Sequence, residues 1–138
     1  LQLVEALRKG GFDGALTLVG DERHPPYQRP PLSKKYLAGE FVDERLYFRP
    51  LEHYAKLDVD LRLDTAAVAI DRAARRVALA HGAAALPYDG LALTTGTRVR
   101  PLPVPGADLP AVRSLRGLDD AQALKTKLAQ ARRVVVIG

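Results

Sequence analysis

The chain has 138 residues, of which 47% are hydrophobic and 27% charged, and this composition is typical of a soluble globular protein. It contains no cysteine, which excludes disulfides, thiolate metal sites and a dithiol redox centre. No apolar run approaches the roughly 18 to 20 residues that a membrane span needs. The net charge of +5 comes from scattered basic residues, so we expect a solvated surface and neither a membrane nor a nucleic-acid interface.

The two ends of the chain do not resemble natural termini. There is no methionine, and a helical apolar pattern already begins at Leu1 with no capping residue before it. The last apolar residues, 134–137, stand directly before Gly138. We therefore expect the chain to be a segment of a longer protein. The lack of cysteine fits a reducing cytoplasm, which is the location we expect.

The first predicted elements belong to part of a βαβ unit. Apolar residues at helical spacing predict a helix that stops at Gly10, and residues 15–20 predict a short buried strand. A helix, a glycine turn and a strand in this order form the second half of a βαβ unit, whose first strand would lie upstream. Residues 21–31, with prolines at 25, 26, 30 and 31, are predicted to form a loop.

The middle of the chain predicts two short helices followed by a β-meander. The helices are expected at residues 32–37 and 50–57. The strands are expected at residues 59–63, 66–71, 76–80, 85–88 and 91–95. Prolines between residues 101 and 110 indicate an extended connection between domains. Residues 118–130 then predict a helix, and residues 132–137 predict a strand that ends in glycine.

Two of these features are typical of nucleotide-binding folds. A buried strand that ends in glycine, as at Gly138, begins the dinucleotide-binding fingerprint, although many other α/β strands end in the same way. An acid at the end of the second strand of such a fold accepts hydrogen bonds from ribose hydroxyls, and Asp21 and Glu22 stand at that place. An ordinary solvated acid pair would have the same spacing, so the spacing alone leaves both interpretations open.

The proline-rich loop carries two cations, Arg29 and Lys34, and has three interpretations. A polyproline ligand is disfavoured because no P-x-x-P spacing occurs in it. A plain rigid turn is the second interpretation, and a surface for an anionic, planar ligand is the third. Arginine offers a fork to phosphate or a flat face to a ring, whereas lysine offers a point charge that stabilises a reduced, anionic ring.

Residues 91–96 end in small side chains at Thr94, Thr95 and Gly96, which would let a ligand approach the backbone. A tight turn after a core strand explains the same residues. The three histidines have no metal-ligand spacing, and neither serine lies in a G-x-S-x-G elbow. We therefore predict no metal site and no catalytic side chain in this chain.

Together these pieces resemble the FAD-dependent ferredoxin reductases of the putidaredoxin reductase and aromatic dioxygenase reductase type. The family pattern G-F-x-G-x-I-x-L-V-G-(D/E)-E stands at residues 11–22, and P-Y-x-R-P-P-L-S-K stands at residues 26–34. The pattern Y-D-x-L-x-L-A-T-G-x-R-x-R corresponds to residues 88–100, with Thr94 in place of alanine, and L-R-T-L-D-D-A to residues 115–121, with Gly117 in place of threonine. The two G-x-G-x-x-G loops of the family fall outside these residues, so we expect the 138 residues alone to bind FAD weakly or not at all.

The resemblance implies an α/β fold in two parts. Residues 1–108 would form a partial FAD/NAD(P)-binding Rossmann-like domain with a β-meander, and residues 109–138 would begin a second, NAD(P)-binding Rossmann-like domain. It also implies a set of cofactor contacts: Asp21 and Glu22 at the adenosine ribose of FAD, Arg29 at the adenine-nucleotide side, Lys34 near the flavin ring, Val68 through its backbone to adenine, and Thr95, Gly96 and Arg100 beside the cofactor.

The activity implied by the resemblance is electron transfer from NAD(P)H, with NADH preferred, through FAD to a [2Fe–2S] ferredoxin. The disulfide reductases that share the fold carry a redox C-x-x-x-x-C, which this chain lacks, so electrons are expected to leave the flavin for an external carrier. One alternative is a flavin-binding protein of the apoptosis-inducing-factor type with a mainly signalling or assembly role. Another is a basic nucleic-acid-binding domain, which no stripe of aromatic and basic residues supports.

Overall fold

The computed structural model describes residues 1–137, whose contacts divide the chain into two compact units. Unit 1 comprises Leu1–Tyr27 and Tyr47–Thr94, and unit 2 comprises Gln28–Leu46 and the residues from Thr95 onward. The proline-rich loop is therefore divided between the two units. No helix within residues 1–137 is long and apolar enough to cross a lipid bilayer.

Unit 1 begins with two helices and a parallel pair of strands. Helix α1 spans Gln2–Lys9, strand β1 spans Leu16–Val19, helix α2 spans Leu51–Lys56 and strand β2 spans Val59–Arg62. β1 and β2 pair in parallel along their whole length, and parallel strands need a long crossover connection. All four elements confirm the predictions, with ends that differ by one or two residues, which is the usual uncertainty of element boundaries.

Arg8, in the last turn of α1, holds these elements together. Its Nε donates to the Leu57 carbonyl at 2.7 Å, and its Nη2 donates to the Asp58 carbonyl at 2.9 Å. Its Nη1 donates to the carbonyls of Phe12 and Gly14 at 2.7 and 2.8 Å. The guanidinium therefore ties the end of α1 and the approach to β1 to the turn between α2 and β2.

The remaining strands of unit 1 form the predicted β-meander. Strands β3 (Ala67–Asp71), β4 (Arg76–Leu79) and β5 (Leu86–Pro87) are antiparallel in the order β3-β4-β5. Val77 and Leu79 of β4 are 8% and 6% exposed, whereas every residue of β3 is exposed. The sheet therefore buries alternate residues of its central strand, as a strand with one covered face does.

Unit 2 has little regular structure among its described residues. It contains helix α3, Leu118–Leu128, and two short helical turns, Leu32–Tyr36 and Asp43–Arg45. Its buried hydrophobic side chains are Leu32, Tyr36, Leu46, Leu118 and Ala121. The predicted helix at residues 118–130 is confirmed, and the helix predicted at residues 32–37 is present as a turn whose backbone is non-helical at Lys34.

Two aspartates of unit 2 each accept two hydrogen bonds, Asp120 through one carboxylate oxygen and Asp43 through both. Asp120 Oδ2 accepts the backbone N–H groups of Arg116 and Gly117 at 2.8 and 2.9 Å, which satisfies donors at the start of α3. Asp43 accepts the Tyr36 hydroxyl at 2.6 Å and the Gln122 amide at 2.8 Å. Asp43 thereby joins the segment Gln28–Leu46 to α3.

Two predicted strands are wrong. Residues 91–95 and residues 132–137 lie outside the strands of the structure. Leu93 is 67% exposed, and Val135 and Val136 are 86% and 87% exposed. A strand is stable only when its backbone groups pair with a neighbouring strand, and no such pairing is made by these segments within residues 1–137. Gly138, the predicted start of a glycine fingerprint, lies outside the described residues.

Candidate cofactor site

The eight predicted cofactor contacts are shared between the two units. Unit 1 holds Asp21, Glu22 and Val68, and unit 2 holds Arg29, Lys34, Thr95, Gly96 and Arg100. The structure brings Arg29 and Gly96 into one cluster within unit 2, as described below. No group of three or more histidine, cysteine or acidic side chains that could hold a metal ion gathers within residues 1–137.

The acids of unit 1 follow directly after β1 and differ in their surroundings. Asp21 is exposed, whereas Glu22 is half-buried and its Oε2 accepts the Tyr27 hydroxyl at 2.5 Å. The Glu22 carbonyl also accepts the backbone N–H of Asp64 at 3.0 Å. The Tyr27 hydroxyl therefore helps to fix the position of the Glu22 carboxylate.

Val68 lies where the pairing of β3 with β4 is interrupted. Ala67 stands opposite Leu79, and the next pair is Ala69 opposite Ala78, so Val68 is the additional residue of a β-bulge. Its side chain is 62% exposed. A bulged residue stands outside the regular ladder, and bulges often occur beside functional sites. The backbone at Val68 is therefore suited to contact a ligand.

The central contacts of unit 2 pass through Arg116, which the sequence did not predict as a site residue. Arg29 Nη1 donates to the Arg116 carbonyl at 2.9 Å, and Arg116 Nε donates to the Thr97 carbonyl at 2.8 Å. Arg116 thus joins the proline-rich loop to the segment that contains Gly96. Its one sequence signal was its place in the L-R-T-L-D-D-A pattern at residues 115–121.

Two features of the structure favour glycine at position 96. Its φ of +67° lies in the left-handed region that glycine adopts without a steric penalty. A Cβ atom placed on Gly96 would lie 3.0 Å from Arg116 Nη2, closer than an ordinary contact. The guanidinium of Arg116 therefore rests against the backbone of Gly96, and a side chain at position 96 would displace it.

Lys34 lies at the irregular point of the turn Leu32–Tyr36. Its φ and ψ of −125° and −109° interrupt the helical backbone, and its side chain is exposed. The turn is fixed on either side of Lys34, because Leu32 and Tyr36 are 2% and 4% exposed. Irregular wide turns in helices are frequent at functional sites. The lysine is thus an exposed cation on a rigidly held segment.

Thr95 and Arg100 lie in a segment without regular structure, and both are exposed. Neither belongs to the hydrogen-bonded cluster formed by Arg29, Arg116 and Thr97. Thr95 directly follows the exposed residues 91–94, and Arg100 lies five positions further along the chain.

The charge of the chain is concentrated in unit 2. Unit 2 carries twelve lysines and arginines against six acids, whereas unit 1 carries nine against ten. The whole net charge of +5 is therefore accounted for by unit 2 at +6 and unit 1 at −1. A positive field of this kind attracts anionic ligands such as phosphate groups.

One ionisable side chain in unit 1 has a shifted pKa. Burial raises the pKa of the Tyr54 hydroxyl, the Glu5 carboxylate raises it further, and the Arg49 guanidinium opposes the shift. Tyr54 is 1% exposed, and its hydroxyl has no hydrogen-bond partner among residues 1–137. The protonated, neutral form of Tyr54 is therefore favoured in the folded protein.

Comparison with known proteins identifies the family and the fold of the chain. Residues 1–138 match the family described as pyridine nucleotide-disulphide oxidoreductase. The chain is 47% identical over 133 residues to rhodocoxin reductase of Rhodococcus erythropolis, an alignment that covers 96% of this chain and 31% of the relative. The chain thus spans less than a third of the length of that relative.

Solved structures of similar sequence have the same fold. A ferredoxin reductase from Rhodopseudomonas palustris superposes with a TM-score of 0.87 and 40% identity, over 94% of this chain and 31% of that one. Putidaredoxin reductase, in its covalent complex with putidaredoxin, gives a TM-score of 0.82 and 41% identity over 92% and 31% of the two chains. These matches confirm the predicted Rossmann-like fold and the resemblance to ferredoxin reductases. On the match over its whole length, the chain belongs to the pyridine nucleotide-disulphide oxidoreductase family.

Proposed function

We propose that the intact protein is a flavoprotein oxidoreductase that passes electrons from NAD(P)H through FAD to a [2Fe–2S] ferredoxin. The observation that carries this proposal is the similarity of 40–47% identity to ferredoxin reductases over nearly the whole chain. The P-Y-x-R-P-P-L-S-K loop at residues 26–34 supports it, because both of its cations are exposed or hydrogen-bonded within the positively charged unit 2. The similar proteins are named as reductases, which favours this activity over a signalling or assembly role.

The residues of the chain fit FAD in their chemistry. Carboxylates accept hydrogen bonds from hydroxyls, so Asp21 and Glu22 would hold the adenosine ribose. The bulged backbone at Val68 would contact adenine. Gly96, whose positive φ suits glycine and whose backbone lies against the Arg116 guanidinium, belongs to the segment that would border the cofactor.

The cations of unit 2 would act on the charged parts of the cofactor. Arg29, oriented by its bond to the Arg116 carbonyl, would hold the adenine-nucleotide side. Lys34 would lie near the flavin ring, with Thr95, Gly96 and Arg100 beside the cofactor. FAD, when bound, supplies the ability to accept a hydride from NAD(P)H and to release single electrons. Lys34 would stabilise negative charge on the reduced ring by its own positive charge.

The domain scheme that goes with this function has two parts. Residues 1–108 would belong to the FAD-binding domain, which the parallel pair β1–β2 and the β-meander support. Residues 109–138 would begin the NAD(P)-binding domain, with α3 as its first helix. We further infer from the resemblance that NADH is the preferred donor, and from the lack of cysteine that the protein works in the cytoplasm.

Purification of the intact protein followed by a coupled assay tests the proposal. The protein is expected to retain FAD, and to reduce a [2Fe–2S] ferredoxin when NADH is added, with NADPH less effective. The absorbance of the ferredoxin reports the reduction directly. A preparation without flavin would contradict the proposal, and so would one that holds flavin but fails to reduce any of several [2Fe–2S] ferredoxins. The second result would favour the signalling or assembly alternative.

A further inference from the structure

We propose that Arg116 is a positioning residue for the FAD site, which it serves without touching the cofactor. This inference rests on the proposed function. Arg116 stands between two groups of predicted cofactor contacts that are far apart in sequence, since 87 positions separate it from Arg29 and 19 separate it from Thr97. All of these residues belong to unit 2. Arg116 can therefore set their relative position.

The two halves of Arg116 serve different neighbours. Its backbone carbonyl accepts Arg29 Nη1 at 2.9 Å, which orients the cation of the proline-rich loop. Its side chain donates from Nε to the Thr97 carbonyl at 2.8 Å. Its Nη2 lies 3.0 Å from the position that a Cβ of Gly96 would occupy, so the guanidinium also packs against Gly96. The side chain thus fixes the segment Gly96–Thr97 and the backbone fixes Arg29.

Arg116 is itself anchored on the most regular part of unit 2. Asp120 accepts its backbone N–H at 2.8 Å and that of Gly117 at 2.9 Å. Leu118 and Ala121, in the first turn of α3, are both 0% exposed. A positioning residue is effective only when its own place is fixed by packing and hydrogen bonds. The start of α3 supplies that fixed place.

This division predicts what each substitution removes. Arg116→Ala keeps the backbone carbonyl, and with it the contact to Arg29, but loses the hydrogen bond to Thr97 and the support behind Gly96. Arg116→Lys keeps the positive charge and one donor, but it lacks the planar fork that reaches Thr97 and Gly96 together. The effect of both substitutions should therefore appear in the segment Gly96–Thr97.

The test uses the intact protein with FAD removed and three variants: Arg116→Ala, Arg116→Lys, and the control Arg113→Ala, which removes an exposed arginine nearby in the chain. Three quantities are measured: the FAD dissociation constant by flavin fluorescence, the visible circular dichroism of bound FAD, and the melting temperature without FAD. Arg116→Ala is expected to weaken FAD binding about tenfold, as loss of one charge-assisted hydrogen bond predicts, and to change the flavin dichroism. Arg116→Lys is expected to lie between Arg116→Ala and the unchanged protein.

The possible outcomes separate position from charge and from stability. Equal FAD affinity in Arg116→Ala and Arg113→Ala would overturn the inference, even if Arg116→Ala melts at a lower temperature. Full affinity in Arg116→Lys would overturn it too, because charge alone would then explain the effect. If Arg116→Ala does not fold, Arg116→Lys decides the question. A reduced FAD affinity in Arg116→Lys would support the inference, and an unchanged FAD affinity would overturn it. Failure of the unchanged protein to bind FAD would instead refute the proposed function itself.

Discussion

Unit 1 and unit 2 are of similar size but are organised in different ways. Unit 1 contains all five strands of the described chain and two of its α-helices, and its charges nearly balance. Unit 2 has one α-helix, long segments without regular structure, and a charge of +6. Among the described residues, paired strands occur only in unit 1, whereas unit 2 depends on buried apolar side chains and on hydrogen bonds made by its side chains.

The difference concerns function as well as folding. Five of the eight predicted cofactor contacts lie in unit 2, and two of them, Arg29 and Gly96, lie against Arg116. Binding residues often lie on irregular segments that a regular scaffold supports. The positive charge in the same unit is suited to a cofactor with two phosphates. Substitutions in each unit test whether the two units are stabilised in these different ways.

The largest loss of stability is expected on substitution of Arg8. This side chain, and not strand pairing, connects α1 to the turn between α2 and β2 in unit 1. Arg8→Ala removes hydrogen bonds to four carbonyl oxygens. We expect the free energy of unfolding to fall by about 3 kcal/mol, because hydrogen bonds to charged groups are the stronger kind and their losses are not additive. Urea denaturation measures the change.

The control for this prediction is Lys9→Ala, which removes an exposed cation at the next position. It should change the free energy of unfolding by less than about 0.5 kcal/mol, as exposed surface substitutions do. Similar losses in the two variants would mean that the four contacts of Arg8 do not hold unit 1 together.

A smaller loss is expected at Gly96 in unit 2. Gly96→Ala places a Cβ on a residue with a φ of +67°, 3.0 Å from Arg116 Nη2. The left-handed conformation costs an alanine about 1–2 kcal/mol, and the displaced guanidinium adds to it, so we expect a lower melting temperature and weaker FAD binding.

Gly90→Ala is the matched control, because a Cβ on Gly90 would meet no atom within 4 Å. Its melting temperature and FAD affinity should stay close to those of the unchanged protein. If Gly90→Ala and Gly96→Ala behave alike, the close approach of Arg116 to Gly96 has no importance for stability or binding.

The smallest effect is a gain in stability at Tyr54. Its buried hydroxyl lacks a hydrogen-bond partner within residues 1–137, and such a group costs about 1 kcal/mol or more. Tyr54→Phe should therefore raise the free energy of unfolding by about 1 kcal/mol at neutral pH. Tyr88 is a partly exposed residue of the same unit, and Tyr88→Phe should not raise the free energy of unfolding.

The raised pKa of Tyr54 adds a dependence on pH. Because the folded state favours the neutral hydroxyl, the corresponding stability is present below the ordinary pKa of 10.0 and is lost as the pH rises through the higher folded value. The unchanged protein should therefore lose more stability than Tyr54→Phe above about pH 10. Parallel losses in both proteins, measured by urea denaturation across this range, would rule out a buried, unpaired hydroxyl.

The sequence predicted unit 1 better than unit 2 for a physical reason. Apolar periodicity, proline and glycine positions report local preferences, and these were sufficient for α1, the pair β1–β2, the β-meander and α3. The same apolar preference wrongly predicted strands at residues 91–95 and 132–137, because periodicity does not report whether a partner strand is present.

Apolar periodicity and turn residues could not predict the contacts of Arg116 with Arg29 and Thr97. The contact between Arg29 and Arg116 joins residues 87 positions apart, and it is made to a backbone carbonyl that any residue type would provide. The family resemblance identified Arg29, Lys34 and Gly96 as candidates by position. Only the three-dimensional structure relates Arg29 and Gly96 to each other through one arginine.

We propose that Lys34 of unit 2 is the cation that acts on the flavin, and substitution of Lys34 tests this proposal. In the intact protein, the flavin content and the midpoint potential are measured for Lys34→Ala and for Lys35→Ala, an exposed neighbour on the same turn. Loss of a positive charge near the ring destabilises its reduced, anionic form. We predict that Lys34→Ala loses FAD or has a more negative potential, while Lys35→Ala resembles the unchanged protein. Equal flavin content and equal potential in all three proteins would contradict the account.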